Sequence, residues 1–474
     1  MAARDLDAAI AVTRFGLGAK DGEIADAGRD PKGFLKSQIR RKGADSFPTN
    51  GETGARRLAE FREYRREQVM ARQGGKEAAD DPVKAAQQYI RRNAAGDVVA
   101  RTQLATTTDA GFRERWALFW ANHFTVSATK VQVAGLVGPY ENEAIRPHVF
   151  GRFGDLLVAA ETHPAMLLYL DQAQSIGPNS DFAQFQRRGR GRFAPPRDPA
   201  APPRPAGLNE NLAREILELH TVGIGGGYAQ ADVTEFARAL TGLSLARPNE
   251  AVESQPVVFR EPAHEPGERN VMGVRYRGGG KAQSVAILGD LAAKPATARF
   301  VCGKIARHFV ADDPPPALAA RLEATWMATG GDLGRVAEAL IDAPEAWAPQ
   351  PAKFKTPYEF IVSSYRAVGA TPRNPAQVAQ ALNSLGQRPF GAPSPKGWPD
   401  EAAPWAAADA LVKRIQFAQA LAAQVGPTVQ DPSGLARAAL GARLGPAAAT
   451  AISRAESRPE AVALLLMSPE FQRR

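Results

Sequence analysis

Apolar residues recur at every third or fourth position along most of this 474-residue chain, in segments rich in alanine, leucine and arginine. This spacing places the apolar side chains along one face of an α-helix. Alternating runs of β-branched residues, which would indicate β-strands, are scarce. The sequence therefore predicts a mainly α protein, built as a multi-helix globular array.

Two short stretches depart from the helical pattern. Residues 255–260 and 270–276 contain β-branched and aromatic side chains, and a polar segment with several turn-forming residues separates them. We expect them to pair with each other as one small β-hairpin near residues 255–276, closed by a long loop.

Two further segments are rich in glycine and proline. Residues 175–206 contain an Arg-Gly-Arg-Gly-Arg run followed by six prolines, and such a segment cannot bury an apolar helical face. We expect a flexible Pro/Arg/Gly-rich insertion there. Residues 386–404 instead carry Phe390 and Trp398, and these aromatic side chains predict an ordered loop that packs against the body.

The formal net charge of +9 raises the question of nucleic-acid binding. Six arginines and one aspartate lie between residues 184 and 205, so five of the nine excess positive charges belong to the predicted insertion. A solvated segment explains those arginines without a nucleic-acid ligand. We therefore place nucleic-acid binding behind other functions.

Cys302 is the only cysteine, which excludes an internal disulfide and a zinc site built from several cysteines. No apolar run approaches the ~20 residues needed to cross a bilayer, so we expect no membrane span. The first residues also lack the charged-then-apolar layout of a signal peptide. We therefore expect a soluble cytoplasmic protein, and export to the periplasm together with a partner stays open.

Residues 113–124 predict a helix with a strongly aromatic face. His123 follows Trp116 and Trp120 at helical spacing, so its side chain points inward. An inward-facing histidine is either a hydrogen-bonded core residue or a ligand or base. The sequence leaves both interpretations open.

The densest cluster of polar residues lies in the predicted helix within residues 207–223. Glu210 and Arg214 are spaced as an i, i+4 pair, and Glu215 and His220 lie on the same helix. Carboxylates and an imidazole are the groups that metal binding and acid–base catalysis require. The spacing matches neither Glu-x-x-His nor His-Glu-x-x-His, and an ion-paired helix with a C-terminal histidine explains the same residues.

The remaining histidines differ in their surroundings. His264 lies in a polar Pro-Ala-His-Glu-Pro-Gly loop, which gives it no core role and makes it a candidate for lining a site. His163 precedes Pro164 at a predicted helix start, where we expect it to cap the helix. We expect His148 and His308 to be structural.

Several of these segments together resemble the widespread bacterial family catalogued as domain of unknown function 1800. The matching motifs are residues 14–19, 115–124, 165–180, 208–221, 228–233, 239–242, 264–267, 309–315, 353–357 and 395–399. The resemblance covers essentially the whole chain and implies a single helical unit over residues 1–474. It implies no reaction, because no activity is established for that family.

The resemblance also implies a partner. Genes of the family commonly lie next to those of another uncharacterised, frequently exported family that is related to alkaline phosphatases. Many relatives carry an export signal, which is not visible in this sequence. Ala229 stands where a capping threonine is usual, and Leu243 where tryptophan is common.

Two hypotheses for function follow. The first is an enzyme of unknown substrate with a polar His/Glu/Asn/Arg pocket, in which Asn122 takes part and which depends on acid–base chemistry or on a divalent metal such as zinc, manganese or iron. The candidate catalytic residues are Glu215, Glu210, Arg214 and His123, and the candidate metal ligands are His123, Glu215, His220 and His264. The alternative is a non-catalytic binding or assembly partner of the phosphatase-like neighbour, with the polar cluster as a buried structural network.

Overall fold

The computed structural model describes residues 2–73, 80–189, 207–246, 250 and 256–474. Helices dominate these residues, which confirms the predicted mainly α fold. The α-helices are Ala2–Ile10, Glu23–Ala27, Pro31–Lys36, Gly54–Gln73, Asp80–Thr107, Gly111–His123, Val131–Ala134, Val137–Tyr140, Phe153–Glu161, Pro164–Tyr169, Asp181–Gly189, Asn211–Glu215, Gln230–Leu240, Lys281–Ala293, Pro295–Phe309, Pro316–Thr329, Leu333–Asp342, Pro357–Ala367, Pro375–Ser384, Ala408–Val425, Pro432–Leu440, Pro446–Ser453, Arg458–Met467 and Pro469–Gln472. Turns of π-helix are Ala11–Phe15, Glu141–Ile145 and Ile216–His220, and short 3₁₀ turns are Arg146–His148, Gln172–Gln174, Glu261–Ala263, Pro344–Trp347, Gly426–Thr428 and Gly441–Arg443.

Many helices begin with a side-chain cap followed by a proline. At the start of Pro357–Ala367, the hydroxyl of Thr356 accepts from the main-chain nitrogen of Glu359 at 3.3 Å, and the Glu359 carboxylate accepts in return at 2.9 Å. Nδ1 of His163 accepts from the main-chain nitrogen of Ala165 at 3.2 Å. The predicted capping role of His163 is therefore confirmed.

Four short strands form two separate two-stranded antiparallel sheets. Strand β1 (Leu243–Leu245) pairs with β2 (Val257–Phe259), and β3 (Arg269–Val271) pairs with β4 (Val274–Tyr276).

The predicted pairing of residues 255–260 with residues 270–276 is wrong, although both segments contain strands. Strands β3 and β4 pair with each other, because Met272 and Gly273 between them have φ angles of 49° and 79° and form a tight two-residue turn. The first segment contains β2, which pairs with β1. Strand β1 precedes it in the sequence, and the alternation pattern did not indicate it.

The segment of residues 175–206 contains more helix than its composition indicates. A helix spans Asp181–Gly189, and the hydroxyl of Ser180 accepts from the main-chain nitrogen of Ala183 at its start. Residues 190–206 lie outside the described residues, so a flexible insertion there stays a prediction.

Two clusters of buried apolar side chains fill the interior. The larger one surrounds the Gly111–His123 helix, whose Trp116 and Trp120 are fully buried. The smaller one joins the Pro357–Ala367 helix to helices near the C-terminus. Within the described residues, every helix is too short or too polar to cross a membrane.

Candidate functional site

Two of the predicted site residues, His123 and His220, lie together in the core. Nε2 of His123 is 3.1 Å from the main-chain oxygen of His220, so Nε2 carries the proton and donates it. The two ring centroids are 6.0 Å apart. His220 takes this position because the π-helical turn Ile216–His220 extends the Asn211–Glu215 helix.

Glu161 completes this buried cluster and was not a predicted site residue. Its Oε1 lies 2.7 Å from Nδ1 of His220, and both side chains are fully buried. The two groups are poorly aligned for a hydrogen bond, and Nδ1 of His123 and Nε1 of Trp120 lack partners within the described chain. Burial, with a contribution from Lys304, lowers the pKa of His123 well below its usual value. His123, His220 and Glu161 are each at most 2% exposed.

Glu210 and Arg214 lie on a more exposed side of the same helix. Nη2 of Arg214 is 3.1 Å from Oε2 of Glu210 and 2.8 Å from Oε1 of Gln230. The hydroxyl of Thr234 donates to Glu210 at 2.7 Å, and this hydrogen bond is the main cause of the lowered pKa of Glu210. These contacts occupy both carboxylate oxygens of Glu210 but only Nη2 of Arg214.

Glu215 is half-buried and interacts electrostatically with His220. Burial raises the pKa of its carboxyl, although the nearby charge of His220 opposes the shift. Burial, together with the Glu215 carboxylate, raises the pKa of Tyr169 to about 12. Glu215 therefore belongs to the neighbourhood of His220, without a direct hydrogen bond between them in the described residues.

His264 lies in a different environment. Its Nδ1 is 2.8 Å from the main-chain oxygen of Thr241, and its ring centroid is 5.1 Å from that of Phe259. The adjacent Glu265 accepts from both the main-chain nitrogen and the side-chain amide of Asn179, each at 2.7 Å. The loop thus holds the first part of the segment that was predicted to be an insertion, residues 175–206.

The four predicted metal ligands do not meet in one place. Across the described residues, no group of three or more His, Cys, Asp or Glu side chains is arranged to hold a metal ion. Metal binding by His123, Glu215, His220 and His264 stays a prediction, and it requires an arrangement of these side chains other than the one described.

An open pocket lies at the boundary between the two apolar clusters. We call it the loop pocket. Asn122 of the predicted enzyme site lines it. The ionisable lining residues are Arg101, Arg115, Tyr140, Glu141, His308, Tyr358, Glu359, Arg388 and Asp400.

Part of the wall comes from the Gly/Pro/Trp-rich loop of residues 386–404. The side-chain amide of Asn122 donates to the main-chain oxygen of Trp398 at 2.9 Å and accepts from its main-chain nitrogen at 2.8 Å. Gly397 has a φ of 85°, and a Cβ there would lie 2.5 Å from the main-chain oxygen of Asn122. Only glycine allows this close approach.

The same loop places Asp400 beside His308. Nδ1 of His308 is 2.8 Å from Oδ1 of Asp400, and Nε2 has no partner within the described chain. Burial lowers the pKa of His308, and Asp400 offsets only part of this shift. Burial disfavours charge on Asp400, but His308 and Lys353 outweigh it and lower the pKa of Asp400 to about 2. A neutral imidazole thus donates from Nδ1 to a carboxylate and keeps Nε2 free to accept a proton.

A second buried ion pair lines the loop pocket. Nη1 of Arg115 donates to Oε1 of Glu359, and the same oxygen lies 3.0 Å from Nη2 of Arg474. Burial lowers the pKa of Arg115 to about 10. Burial disfavours charge on Glu359, but Arg474 and Arg115 outweigh it and hold the pKa of that carboxyl well below its usual range. The pair is therefore charged at neutral pH.

Tyr358 supplies a hydroxyl donor. The guanidinium of Arg101, which donates to Glu141 at 2.8 Å, lies over the Tyr358 ring at 4.8 Å. Burial raises the pKa of Tyr358, so the hydroxyl stays protonated at neutral pH. Among the described residues, this hydroxyl has no well-aligned hydrogen-bond partner.

These lining residues were not found from the sequence. His308 was expected to be structural, and Asp400, Arg115 and Glu359 were not singled out. His308 and Asp400 are 92 positions apart, and Arg115 and Glu359 are 244 apart, so no local spacing could link them. The one available signal was the position of the family motifs. Arg115 lies within the motif at residues 115–124. The other three residues, His308, Glu359 and Asp400, lie one or two positions outside the motifs at residues 309–315, 353–357 and 395–399.

Comparisons with known proteins give a family but no activity. No curated protein and no solved structure matches this chain. One family model, described as protein of unknown function (DUF1800), matches residues 10–473. This match confirms the resemblance noted in the sequence, and the chain belongs to the DUF1800 family.

Proposed function

We propose that this protein is an enzyme that binds a small organic molecule in the loop pocket and uses His308 as a general base. The observation that supports the proposal is the His308–Asp400 pair, with its 2.8 Å Nδ1 to Oδ1 distance and its unpartnered Nε2 in the described chain. A histidine held in this way accepts a proton at Nε2, while the carboxylate stabilises the imidazolium that forms.

The protons balance over one turnover. Nε2 of His308 takes a proton from a bound water or from the substrate, and the imidazolium then returns it to the leaving group or the product. The lowered pKa of His308 keeps the resting imidazole unprotonated, as a base must be. The Tyr358 hydroxyl, whose pKa burial raises, can donate a hydrogen bond to an oxygen that gains negative charge.

The composition of the wall favours direct proton transfer over a covalent intermediate. Among the described residues that line the pocket there is no serine or cysteine. The hydroxyl of Thr125 donates to the main-chain oxygen of Asn122 at 2.7 Å, and that of Thr356 caps the helix that carries Glu359. Thr125 therefore has no free hydroxyl proton, and Thr356 is held as the acceptor of a helix cap. The lining carboxylates Glu141, Glu359 and Asp400 are each paired with an arginine or a histidine, whereas a nucleophile needs a free attacking group beside a base.

The wall also indicates the class of substrate. Small-molecule sites are mostly apolar, with a few polar groups that set orientation. Phe390 and Trp398 provide flat apolar surface, while Arg101 and Arg115 are already paired with carboxylates. We therefore propose a substrate with an apolar part and one polar group near the base, and without several charges.

The experiment is incubation of the purified protein with a bacterial metabolite extract in D₂O, followed by mass spectrometry. Hydrolysis appears as the loss of a compound, and proton abstraction from carbon appears as deuterium uptake. We expect at least one compound to change with the wild type and with His148→Gln, but not with His308→Gln. His148 is a half-buried histidine outside the loop pocket, so its variant is the matched control.

Equal changes with the wild type and with His308→Gln would show that His308 is not the base. If the wild type changes no compound, the enzyme proposal fails. The non-catalytic partner of a phosphatase-like neighbour, which the family's gene order implies, would then take precedence.

A further inference from the structure

A group of buried cationic side chains lies between the two apolar clusters, and we call it the cationic seam. It comprises Arg14, Lys355, Arg443 and Arg474, each at most 8% exposed. Buried charges of like sign repel strongly, because the protein interior screens charge less than water does. A compensating negative charge is therefore expected inside the seam.

Two hydrogen bonds join the segments that carry these four groups, although the segments are distant in the sequence. Nη1 of Arg443 donates at 2.5 Å to the hydroxyl of Thr13, which directly precedes the first seam arginine. The main-chain nitrogen of Arg474 donates at 2.9 Å to the main-chain oxygen of Lys353, two positions before the seam lysine.

The mutual repulsion is visible in the pKa values. Burial lowers the pKa of Arg14 to about 10, and the charges of Arg443 and Arg474 add to the shift. Burial and the charge of Arg474 likewise lower the pKa of Arg443 to about 10. For Lys355, burial and Arg443 lower the pKa well below its usual value.

Glu359 does not neutralise the seam by itself. Its Oε1 lies 3.0 Å from Nη2 of Arg474, but the same oxygen accepts from Nη1 of Arg115. Lys355 and the buried Arg414 also act on this carboxylate. One negative charge is thus shared among four cations.

Glu470 is a second carboxylate that acts on the seam, and it acts from a distance. Its Oε1 accepts from the main-chain nitrogen of Gly445 at 3.2 Å, and its Oε2 has no partner in the described chain. It opposes the lowering of the pKa of Arg443 without reversing it. Asp400, which is held by His308, also acts on Arg474 from a distance. These three carboxylates still leave an excess of buried positive charge, because the four seam cations, Arg115 and Arg414 share them.

Unused donors point to the missing partner. Nε of Arg14, Nη2 of Arg443 and Nε of Arg474 are buried and have no hydrogen-bond partner within the described chain. Buried donors are rarely left unpaired. The planar donor array of guanidinium groups matches the oxygens of phosphate, sulfate and carboxylate groups.

We infer that the cationic seam binds one small oxyanion, such as phosphate, sulfate or a carboxylate, among Arg14, Arg443 and Arg474. The anion supplies the negative charge that the seam lacks and accepts the three unused donors. This site is separate from the loop pocket and does not depend on the reaction proposed there.

The first experiment identifies the anion directly. Protein purified in a buffer without phosphate or sulfate is denatured, filtered and analysed by ion chromatography, and its melting temperature is titrated with sodium phosphate, sodium sulfate and sodium chloride at equal ionic strength. We expect either a retained oxyanion near one per chain or a saturable stabilisation by phosphate or sulfate that exceeds the chloride effect.

A matched pair of variants locates the site. Arg443→Met should weaken the apparent affinity for the stabilising oxyanion at least tenfold. Arg437→Met, which removes an exposed arginine 3.4 Å from Asp431, should leave it unchanged. In buffer free of oxyanions, Arg443→Met should melt no lower than the wild type, since it relieves repulsion between buried cations.

Three results would overturn the inference. One is a wild type that neither retains an oxyanion nor is stabilised by one beyond sodium chloride; the chain's own carboxylates would then neutralise the seam. Another is stabilisation by chloride alone. The last is an equal oxyanion response in the wild type and Arg443→Met. If that variant does not fold, the measurements on the wild type still decide.

Discussion

Replacing Arg146 with methionine tests whether buried ion pairs hold one wall of the loop pocket. Arg146 is fully buried, and its guanidinium donates to Glu114 at 2.7 and 2.8 Å, to Glu141 at 2.7 Å and to the main-chain oxygen of Asp45 at 2.6 Å. Glu141 also lines the pocket and binds Arg101. Methionine fills much of the same space but leaves both carboxylates without this cation.

The expected loss of stability is large. Removing one partner of a buried ion pair costs about 3–5 kcal/mol, because a buried charge stays uncompensated. Glu141 keeps its 2.8 Å contact with Arg101, so its charge stays partly compensated. Arg335→Met is the matched control, since Arg335 is 60% exposed and pairs with Glu338 at 2.8 Å. Exposed pairs of this kind contribute about 0–1 kcal/mol.

Urea denaturation followed by circular dichroism measures both variants. Adding Glu114→Gln to Arg146→Met should recover about 1–3 kcal/mol, since it removes one of the uncompensated charges. A loss for Arg146→Met within about 1 kcal/mol of the Arg335→Met value would refute the reasoning.

The dependence on pH has a definite sign. Burial disfavours charge on Glu141, but Arg101 and Arg146 outweigh it and lower the pKa of that carboxyl. A lowered folded-state pKa stabilises the fold above the unfolded pKa of about 4.3, and this stability is lost as the pH falls through the folded value. The loss in free energy of unfolding caused by Arg146→Met should therefore be largest near neutral pH and should shrink below about pH 5. A deficit that stays constant from neutral pH to pH 4 would contradict this cause.

Three further predictions concern other parts of the molecule. Asp400→Asn should lower the pKa of His308 still further, because the carboxylate opposes the effect of burial, and ¹⁵N NMR of the imidazole checks this. Cys302 is fully buried and burial raises the pKa of its thiol, so a disulfide reagent should label it only in urea. Glu265→Ala removes both hydrogen bonds to Asn179 and should speed proteolysis within residues 175–189.

Each of these predictions has a control or a contrary outcome. Asp313→Asn changes an exposed aspartate and should leave the His308 titration unchanged. Rapid labelling of Cys302 in the native protein would show that its helix opens. Glu268→Ala removes an exposed ion pair with Arg275 in the same loop, and it should not alter the cleavage rate.

The helical fold could be predicted because its cause is local. The three-to-four residue spacing of apolar side chains and the caps near residues such as His163 act within one or two turns. Strand pairing is not local, so the partner of Val257–Phe259 was missed. The tight turn at Met272 was missed as well, because methionine is an unusual residue for a positive φ.

The candidate sites show a sharper limit of the sequence. His123 was expected to point inward, and it does, in contact with His220. His308 had a similar helical context, yet its partner Asp400 arrives from a loop 92 positions away. The position of that loop depends on the contact between Asn122 and Trp398, which no pattern in either segment reveals. Burial alone therefore does not separate a core histidine from one that lines a pocket.

Glu359 connects the loop pocket to the cationic seam. Its Oε1 accepts from Arg115 on the pocket side and lies 3.0 Å from Arg474 on the seam side. An anion bound to Arg474 would weaken the attraction between Arg474 and Glu359. The ion pair between Glu359 and Arg115, which lines the pocket, would then be favoured. Without an anion, Arg474 and Arg115 both contact Oε1 of Glu359, which is the only carboxylate paired with Arg115 in the described residues. Occupancy of the seam would thus act on the electrostatics of the pocket through a single carboxylate oxygen.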